Sequence, residues 1–339
     1  MSINDDQLDL LIIGAGPAGL SAADAAAREG MHYLVVEQGL IAHTIYHYPI
    51  GQTVFSTPHE LELREGALRP CRDKPTREEL LSHYVRFALE EKLRINTEEE
   101  VTGIDRVTGS GPEGFVVRTS RSNYRAARVL VATGAMAHPR RLNVPGEDLP
   151  KVQHRFTEPY PYVRKDALVV GGGNSAAEAA LFLAEEGAHT SLAIWRTDWE
   201  NRDPKMNAIK HWVRGPLEEL IATGRLRLIL FSEIEEIAER HVRIKQDDGS
   251  TLMLDNDAVF ILIGSDADHT LLRQLGIEIV PAGFNQVPVY DPETHETNVA
   301  GLYVAGHFTH TRHIQAAIEV PRRIVPLIAQ SLRTITTNP

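Results

Sequence analysis

Apolar residues recur along this chain in two rhythms. Unbroken apolar runs at 10–13, 33–36, 259–264 and 301–306 read as strands buried on both faces. The segment 76–92 follows the helical period instead. Leu80, Tyr84, Phe87 and Ala88 share one face, Thr76 is an N-cap, and Glu79 closes a capping box. Strand-like runs within 101–131, broken at 109–114 and 120–123, predict a small antiparallel meander. It ends in a buried strand that runs into the small residues 132–134. A proline-rich stretch follows (Pro139, Pro145, Pro150, Pro159, Pro161) and marks a crossing between domains. Beyond it, 167–196 repeats the opening grammar of strand, helix and strand. A second meander is predicted over about 225–260, and the last helix begins near Thr311.

The two repeats carry the candidate chemistry. The first strand runs into Gly14-Ala15-Gly16-Pro17-Ala18-Gly19, then an alanine-rich helix, then a strand ending in Glu37. In such a turn Gly14 permits the tight bend. Gly16 lets the backbone approach a pyrophosphate, and Gly19 lets the helix pack closely on the strand. The helix N-terminus adds unpaired N–H groups for the phosphates. Glu37 lies 23 residues after Gly14, where an acid accepts hydrogen bonds from ribose hydroxyls. The second turn, Gly171-Gly172-Gly173-Asn174-Ser175-Ala176, starts 157 residues later. That spacing means a duplicated nucleotide-binding fold, not a short repeat. Its second strand ends in Ile194, Trp195, Arg196 and Thr197, with no acid in Glu37's place. Arg196, with Arg202 beside it, attracts a 2′-phosphate and favours NADP(H) over NAD(H); the nearby acids Asp198 and Glu200 count against it, and the alternative is a solvated surface charge.

Bulk composition narrows the setting. The 339 residues suffice for two domains, and 42% hydrophobic with 24% charged residues is ordinary for a globular chain. A net charge of −11 disfavours nucleic acid and acidic membrane surfaces as partners. The N-terminus lacks the basic and apolar regions of a secretory signal, and the apolar runs are too short to span a bilayer. The single cysteine, Cys71, has no internal partner, which fits a cytoplasmic location. The expected fold class is α/β, with two Rossmann-like (three-layer ββα) domains, the second inserted in the first. Residues 1–150 and 268–339 form the first domain, and 151–267 form the second. Linkers near 150–160 and 264–270 would allow rotation.

These segments together resemble the low-molecular-weight thioredoxin-reductase-like flavoproteins. The likeness rests on the two glycine turns, the Ala132-Thr133-Gly134 segment and the late strand at 301–306. Within that group the chain is most similar to the bacillithiol-disulfide-reductase branch. The carrying residues there are Tyr46 through Pro49, Phe55 through Thr57, Lys74 through Arg77, His154 through Pro159, and 319–325. The resemblance implies FAD in the outer domain. Gly14, Gly16 and Ala18 would meet its pyrophosphate, with Pro17 in the same turn. Glu37, followed by Gln38, would meet its ribose and the Val101 backbone its adenine. Thr133, Gly134, Gly306 and His307 would lie beside the cofactor. NADPH would use Gly173, Asn174, Ser175 and Arg196, and the assembly would be a homodimer. No metal is implied.

Three departures from the family matter. His154 and Thr157 stand about where thioredoxin reductases carry a redox CxxC. His307 replaces a common Asp. Ala18 occupies the place of the branch's turn cysteine.

The expected reaction is hydride transfer from NADPH to FAD, then reduction of a low-molecular-weight disulfide or another acceptor, small molecule or small redox protein. No catalytic residue is assigned. Ferredoxin or flavodoxin reduction needs no cysteine and competes. A flavin monooxygenase is a third reading, although the FxGxxxHxxx(W/Y) signature is unmatched, and a non-catalytic nucleotide sensor is a fourth. Cys71 lies between arginines, a setting that lowers a thiol pKa, yet a loop cysteine without a role is the favoured reading. His307, His310 and His313 recur at threes, but with no carboxylate or cysteine cluster they are read as polar residues around the flavin. His43 and His47 belong to a loop that wraps the flavin ring. Trp195, Trp199 and Trp212 serve packing or nucleotide stacking.

Overall fold

A computed structural model describes residues 7–107, 113–203, 209–283, 285–311 and 313–337. The chain divides into two compact units. One comprises residues 1–137 and 266–339, and the other, His138–Ser265, is inserted in it.

The first unit opens with β1 (Leu8–Ile13), α1 (Pro17–Arg28) and β2 (Tyr33–Val36). After two one-turn helices, α2 (His43–Tyr46) and α3 (Pro58–Leu61), comes α4 (Arg77–Glu90). Then follow β3 (Ile95–Asn96), β4 (Val101–Val107), β5 (Gly114–Thr119) and β6 (Asn123–Val131). The sheet order is β3-β2-β1-β6-β5-β4, and the strand Leu302–Val304 joins β6 in parallel. Strands β3, β2, β1 and β6 are parallel, and the meander β6-β5-β4 is antiparallel.

Successive residues of β1 point to opposite faces, and both faces are buried. Leu10 and Ile12 pack under α1 and the C-terminal helix, against Ala18, Ala22, Ala26, Ile324 and Ile328. Leu11 and Ile13 pack on the other face with Ile104, Phe115 and Val117 of the meander. That is the expected three-layer ββα arrangement. The α4 capping box forms as read: the Thr76 hydroxyl accepts from Glu79 N–H at 3.2 Å, and the Glu79 carboxylate accepts from Thr76 N–H at 2.9 Å. The buried face of α4 carries Leu80, His83, Tyr84, Phe87 and Ala88.

The second unit repeats the opening with the strand Asp166–Val170, α5 (Asn174–Glu185) and the strand His189–Ile194. Helices α6 (Arg196–Glu200) and α7 (His211–Ala222) lead into an antiparallel meander, 226–237, 241–246 and 251–255. The strand Ala258–Ile261 returns parallel beside Asp166–Val170.

The second unit begins at His138, whereas the sequence reading begins it at 151. The cause is packing: Leu142, Val144 and Leu149 lie against the second unit's core of Leu168, Val170, Ile229 and Ile261. After the return, Leu271 and Leu272 of α8 (Thr270–Gln274) pack into the first unit. The last helix, α9, spans Ile314–Thr337. Among the described residues, no helix is long and apolar enough to cross a membrane.

One glycine outside the candidate sites tests this packing. Gly146 has φ +82°, and a Cβ there would overlap the carbonyl oxygen of Ile237. Gly146→Ala therefore forces a left-handed alanine against backbone. Chemical denaturation should show a loss of about 3 kcal/mol or more.

Candidate functional site

In the first unit, the carboxyl ends of β1, β2, β6 and Leu302–Val304 come together, and the residues singled out by sequence lie just beyond them. This is the edge of a parallel sheet where ligands bind. Gly14 turns at φ +106°, its N–H bonded to the Val36 carbonyl at 2.8 Å. A Cβ on it would come within 2.5 Å of the Ala132 oxygen, which binds the turn to the end of β6. Gly19 is equally closed, since a Cβ there would overlap the carbonyl of Gly14. Gly16 is the opposite case. It caps α1 with extended backbone, and a Cβ on it would meet nothing within 4 Å. The turn is thus walled behind by main chain and open in front. Pro17 opens α1 with its missing N–H at a position that needs none.

Glu37 is buried at the end of β2. Its two oxygens accept from Ala15 N–H and Gly39 N–H, each at 2.7 Å. A carboxylate has about four acceptor positions, so capacity for ribose hydroxyls remains. Gln38, next to it, is exposed. Glu99 N–H bonds the Glu37 carbonyl at 2.9 Å, which sets Val101, the first residue of β4, close behind.

Gly134 turns at φ +74° beyond β6, with exposed Thr133 before it. Gly306 turns at φ +97°, and its side-chain direction faces the Ala18 methyl at 3.2 Å. The first glycine turn and the end of Leu302–Val304 are therefore in contact. Exposed His307 follows in a turn closed by Thr309 N–H to the Gly306 carbonyl at 3.0 Å. The helix expected near Thr311 opens at Ile314, so His307 stands well outside its first turn.

An open front at Gly16, the N-terminus of α1 and a buried acid with acceptor capacity to spare are what a dinucleotide requires. The first unit fits FAD on those grounds.

The loop after Glu37 is tied to the same turn. Ala42, at φ +56°, donates its N–H to the Ala15 carbonyl at 2.9 Å. The His43 ring fills the space at Gly39 and its Nε2 lies 3.1 Å from His47 Nε2.

In the second unit the same logic recurs. Gly171 is closed, since a Cβ would meet the Leu262 oxygen and come within 2.9 Å of the Ala176 Cβ; Gly173, the N-cap of α5, is open. Those features fit a second nucleotide. Exposed Ser175 lies in the first turn of α5. Asn174 has a further duty, its Oδ1 accepting from Lys210 N–H at 2.8 Å. Arg196 opens α6 and is exposed, but its guanidinium pairs with Asp247 and with Glu200, the latter at 3.1 Å. Asp198, which the sequence shows only as an acid near Arg196, lays its carboxylate on Gly172. That position is not legible in the chain, because Asp198 sits one helical turn past the strand end.

The remaining candidates fall elsewhere. Cys71 is exposed, its N–H bonded to Glu79 at 2.8 Å. The expected lowering of its thiol pKa is reversed. The Glu79 carboxylate accepts from the thiol and raises it, outweighing Arg72. Trp195 packs on Phe231 at 4.4 Å, and Trp199 lies under the Arg214 guanidinium at 4.7 Å. His310 N–H donates to Tyr290 at 3.2 Å. Among the described residues, no three His, Cys, Asp or Glu side chains are grouped to hold a metal.

A family model described as pyridine nucleotide-disulphide oxidoreductase matches residues 11–306. The bacilliredoxin reductase Bdr of Bacillus subtilis is 36% identical over 296 residues, covering 87% of this chain and 88% of that protein. The solved bacillithiol disulfide reductase Bdr of Staphylococcus aureus superposes with a TM-score of 0.87 at 30% identity, covering 97% of this chain and 99% of the other. A ferredoxin–NADP reductase of Ignicoccus hospitalis is 27% identical over 95% of this chain and 94% of its own.

Proposed function

Because the chain belongs to the pyridine nucleotide-disulphide oxidoreductase family, and is an FAD-dependent NAD(P)H oxidoreductase of thioredoxin-reductase-like fold, we propose that its acceptor is a low-molecular-weight disulfide. The supporting observation is the pair of glycine turns, each closed behind and open in front, in a chain this similar to two Bdr proteins. In this reading residues 1–137 and 266–339 hold FAD, and 138–265 hold the nicotinamide nucleotide.

Bound FAD supplies the carrier that takes a hydride and delivers an electron pair. The chain's own residues bind and orient. The Gly16 front and the α1 N-terminus receive the pyrophosphate, and Glu37 receives the ribose. Thr133, Gly134, Gly306 and His307 line the edge at which the ring is held, with Val101 near the adenine. Gly173, Asn174 and Ser175 receive the nucleotide's phosphates, and Arg196 is the cation for a 2′-phosphate. Ala18 brings no thiol to the first turn, so no mixed disulfide forms there. Cys71, an exposed thiol whose pKa the Glu79 carboxylate raises, does not replace it; Cys71→Ala is expected to leave disulfide reduction unchanged.

The missing thiol favours one second reading. Transfer to a ferredoxin or flavodoxin needs none, and the chain is also similar to a ferredoxin–NADP reductase. Anaerobic titration with NADPH should bleach the flavin, and an acceptor panel then decides. Turnover with bacillithiol disulfide or a related small disulfide supports the first reading. Turnover with ferredoxin alone replaces it. A flavin that stays oxidised removes both and leaves a nucleotide-sensing role. A homodimer in the reducing cytoplasm completes the proposal, resting on the family resemblance and the single cysteine. Sedimentation of the holoprotein tests the dimer.

A further inference from the structure

The acid at the first turn has a counterpart at the second that chain position conceals. Counting 23 residues from Gly171, as Glu37 lies from Gly14, reaches Ile194, an apolar strand residue. Four residues later α6 turns back and lays Asp198 on the glycine turn. A Cβ built on Gly172 would stand 2.6 Å from the Cβ and Cγ of Asp198 and overlap its Oδ2. Gly172 is the second residue of its turn. Its equivalent in the first unit is Ala15, the residue whose N–H Glu37 holds at 2.7 Å. Each turn therefore has a carboxylate at its second residue, delivered from the chain beyond the strand that follows the helix: directly after β2 for Glu37, and from α6 for Asp198.

The two acids differ in one respect. Glu37 is hydrogen-bonded to main chain, whereas the Asp198 side chain has no hydrogen bond or ion pair among the described residues. It is half-buried, and burial raises its carboxyl above the ordinary range with no neighbouring charge to offset the effect. A first-turn helix acid is often mere dipole complement. Here α6 has only five residues, and none of its N–H groups bonds Asp198. A partly buried acceptor without a donor, lying on a ligand turn, is what a bound hydroxyl would satisfy. Arg196, the cation that would favour a phosphate, is shared with Asp247 and Glu200.

We propose that Asp198 accepts the adenosine ribose hydroxyls of the nicotinamide nucleotide and that its charge opposes the 2′-phosphate which Arg196 attracts, so that the site takes NAD(H) and NADP(H) with little discrimination. This rests on the reading that the second turn holds that nucleotide. A ribose 2′-hydroxyl can donate to the carboxylate; a 2′-phosphate cannot, and it places like charges together.

The test uses the FAD-loaded protein and the oxidised nucleotides NAD+ and NADP+, which leave the flavin untouched, with dissociation constants from calorimetry. For the unaltered protein the two constants should lie within about tenfold of each other. Asp198→Asn should tighten NADP+ and weaken NAD+, moving their ratio by about tenfold or more. Arg196→Gln should move it the other way. Melting temperature checks that each variant is folded, and Asp198→Ser repeats the test with a smaller side chain. An unchanged ratio in folded Asp198→Asn and Asp198→Ser overturns the inference. If the unaltered protein binds neither nucleotide, the reading of the second turn fails, and the inference with it.

Discussion

Gly16→Val is expected to give a folded, colourless protein. The backbone at Gly16 has φ −76° and ψ −175°, an extended conformation open to any residue, and a Cβ there touches nothing within 4 Å. Folding therefore loses little. The same open space is where a pyrophosphate approaches the main chain, and two methyl groups fill it. FAD affinity should fall by about a hundredfold or more, equivalent to roughly 2.8 kcal/mol. Visible absorbance of the purified variant reads the flavin content, and a denaturant melt of the apoprotein reads the fold. Gly19→Ala provides the contrast, because its methyl overlaps the Gly14 carbonyl and must move α1 off the strand. That variant should lose stability as well as flavin. If Gly16→Val keeps its colour, the first turn is a packing device alone.

A second large effect is expected from Glu37→Ala. The carboxylate is buried and accepts two main-chain N–H groups, from Ala15 and Gly39. Removing it leaves both donors unpaired, at about 1–3 kcal/mol each. The bend that presents Gly16 should loosen, and the ribose acceptor is lost as well. The apoprotein should therefore melt earlier and flavin uptake should fail. Glu37→Gln keeps the shape but offers only one acceptor oxygen, turning an amide donor towards one of the two N–H groups. It should lie between. Unchanged melting and flavin content in Glu37→Ala would remove Glu37 from both roles.

These two predictions concern residues that the sequence names unaided. Gly14, Gly16 and Gly19 are legible because each answers a local steric demand: a positive φ, an open face, a close helix. The Thr76–Glu79 capping box and the buried face of α4 are legible for the same reason, since both depend on spacings of three and four residues. The direction of the Cys71 thiol pKa is not legible in the sequence, because the flanking arginines are visible in the chain whereas the Glu79 carboxylate arrives from the helix behind. The sequence reading puts the first boundary thirteen residues late because proline marks a loop but not which core its neighbours join.

The amino-acid order by itself determined two glycine turns between buried strands and helices, hence an α/β chain with two nucleotide-type units. Each such feature is a contact between residues near one another in the chain. Tertiary structure alone decided that the ends of β6 and Leu302–Val304 meet the first turn, that Gly306 faces Ala18, and that Asp198 lies on Gly172. Those juxtapositions depend on strand order and on where a short helix turns back. Both are settled by burying apolar faces against distant partners, so no local spacing records them.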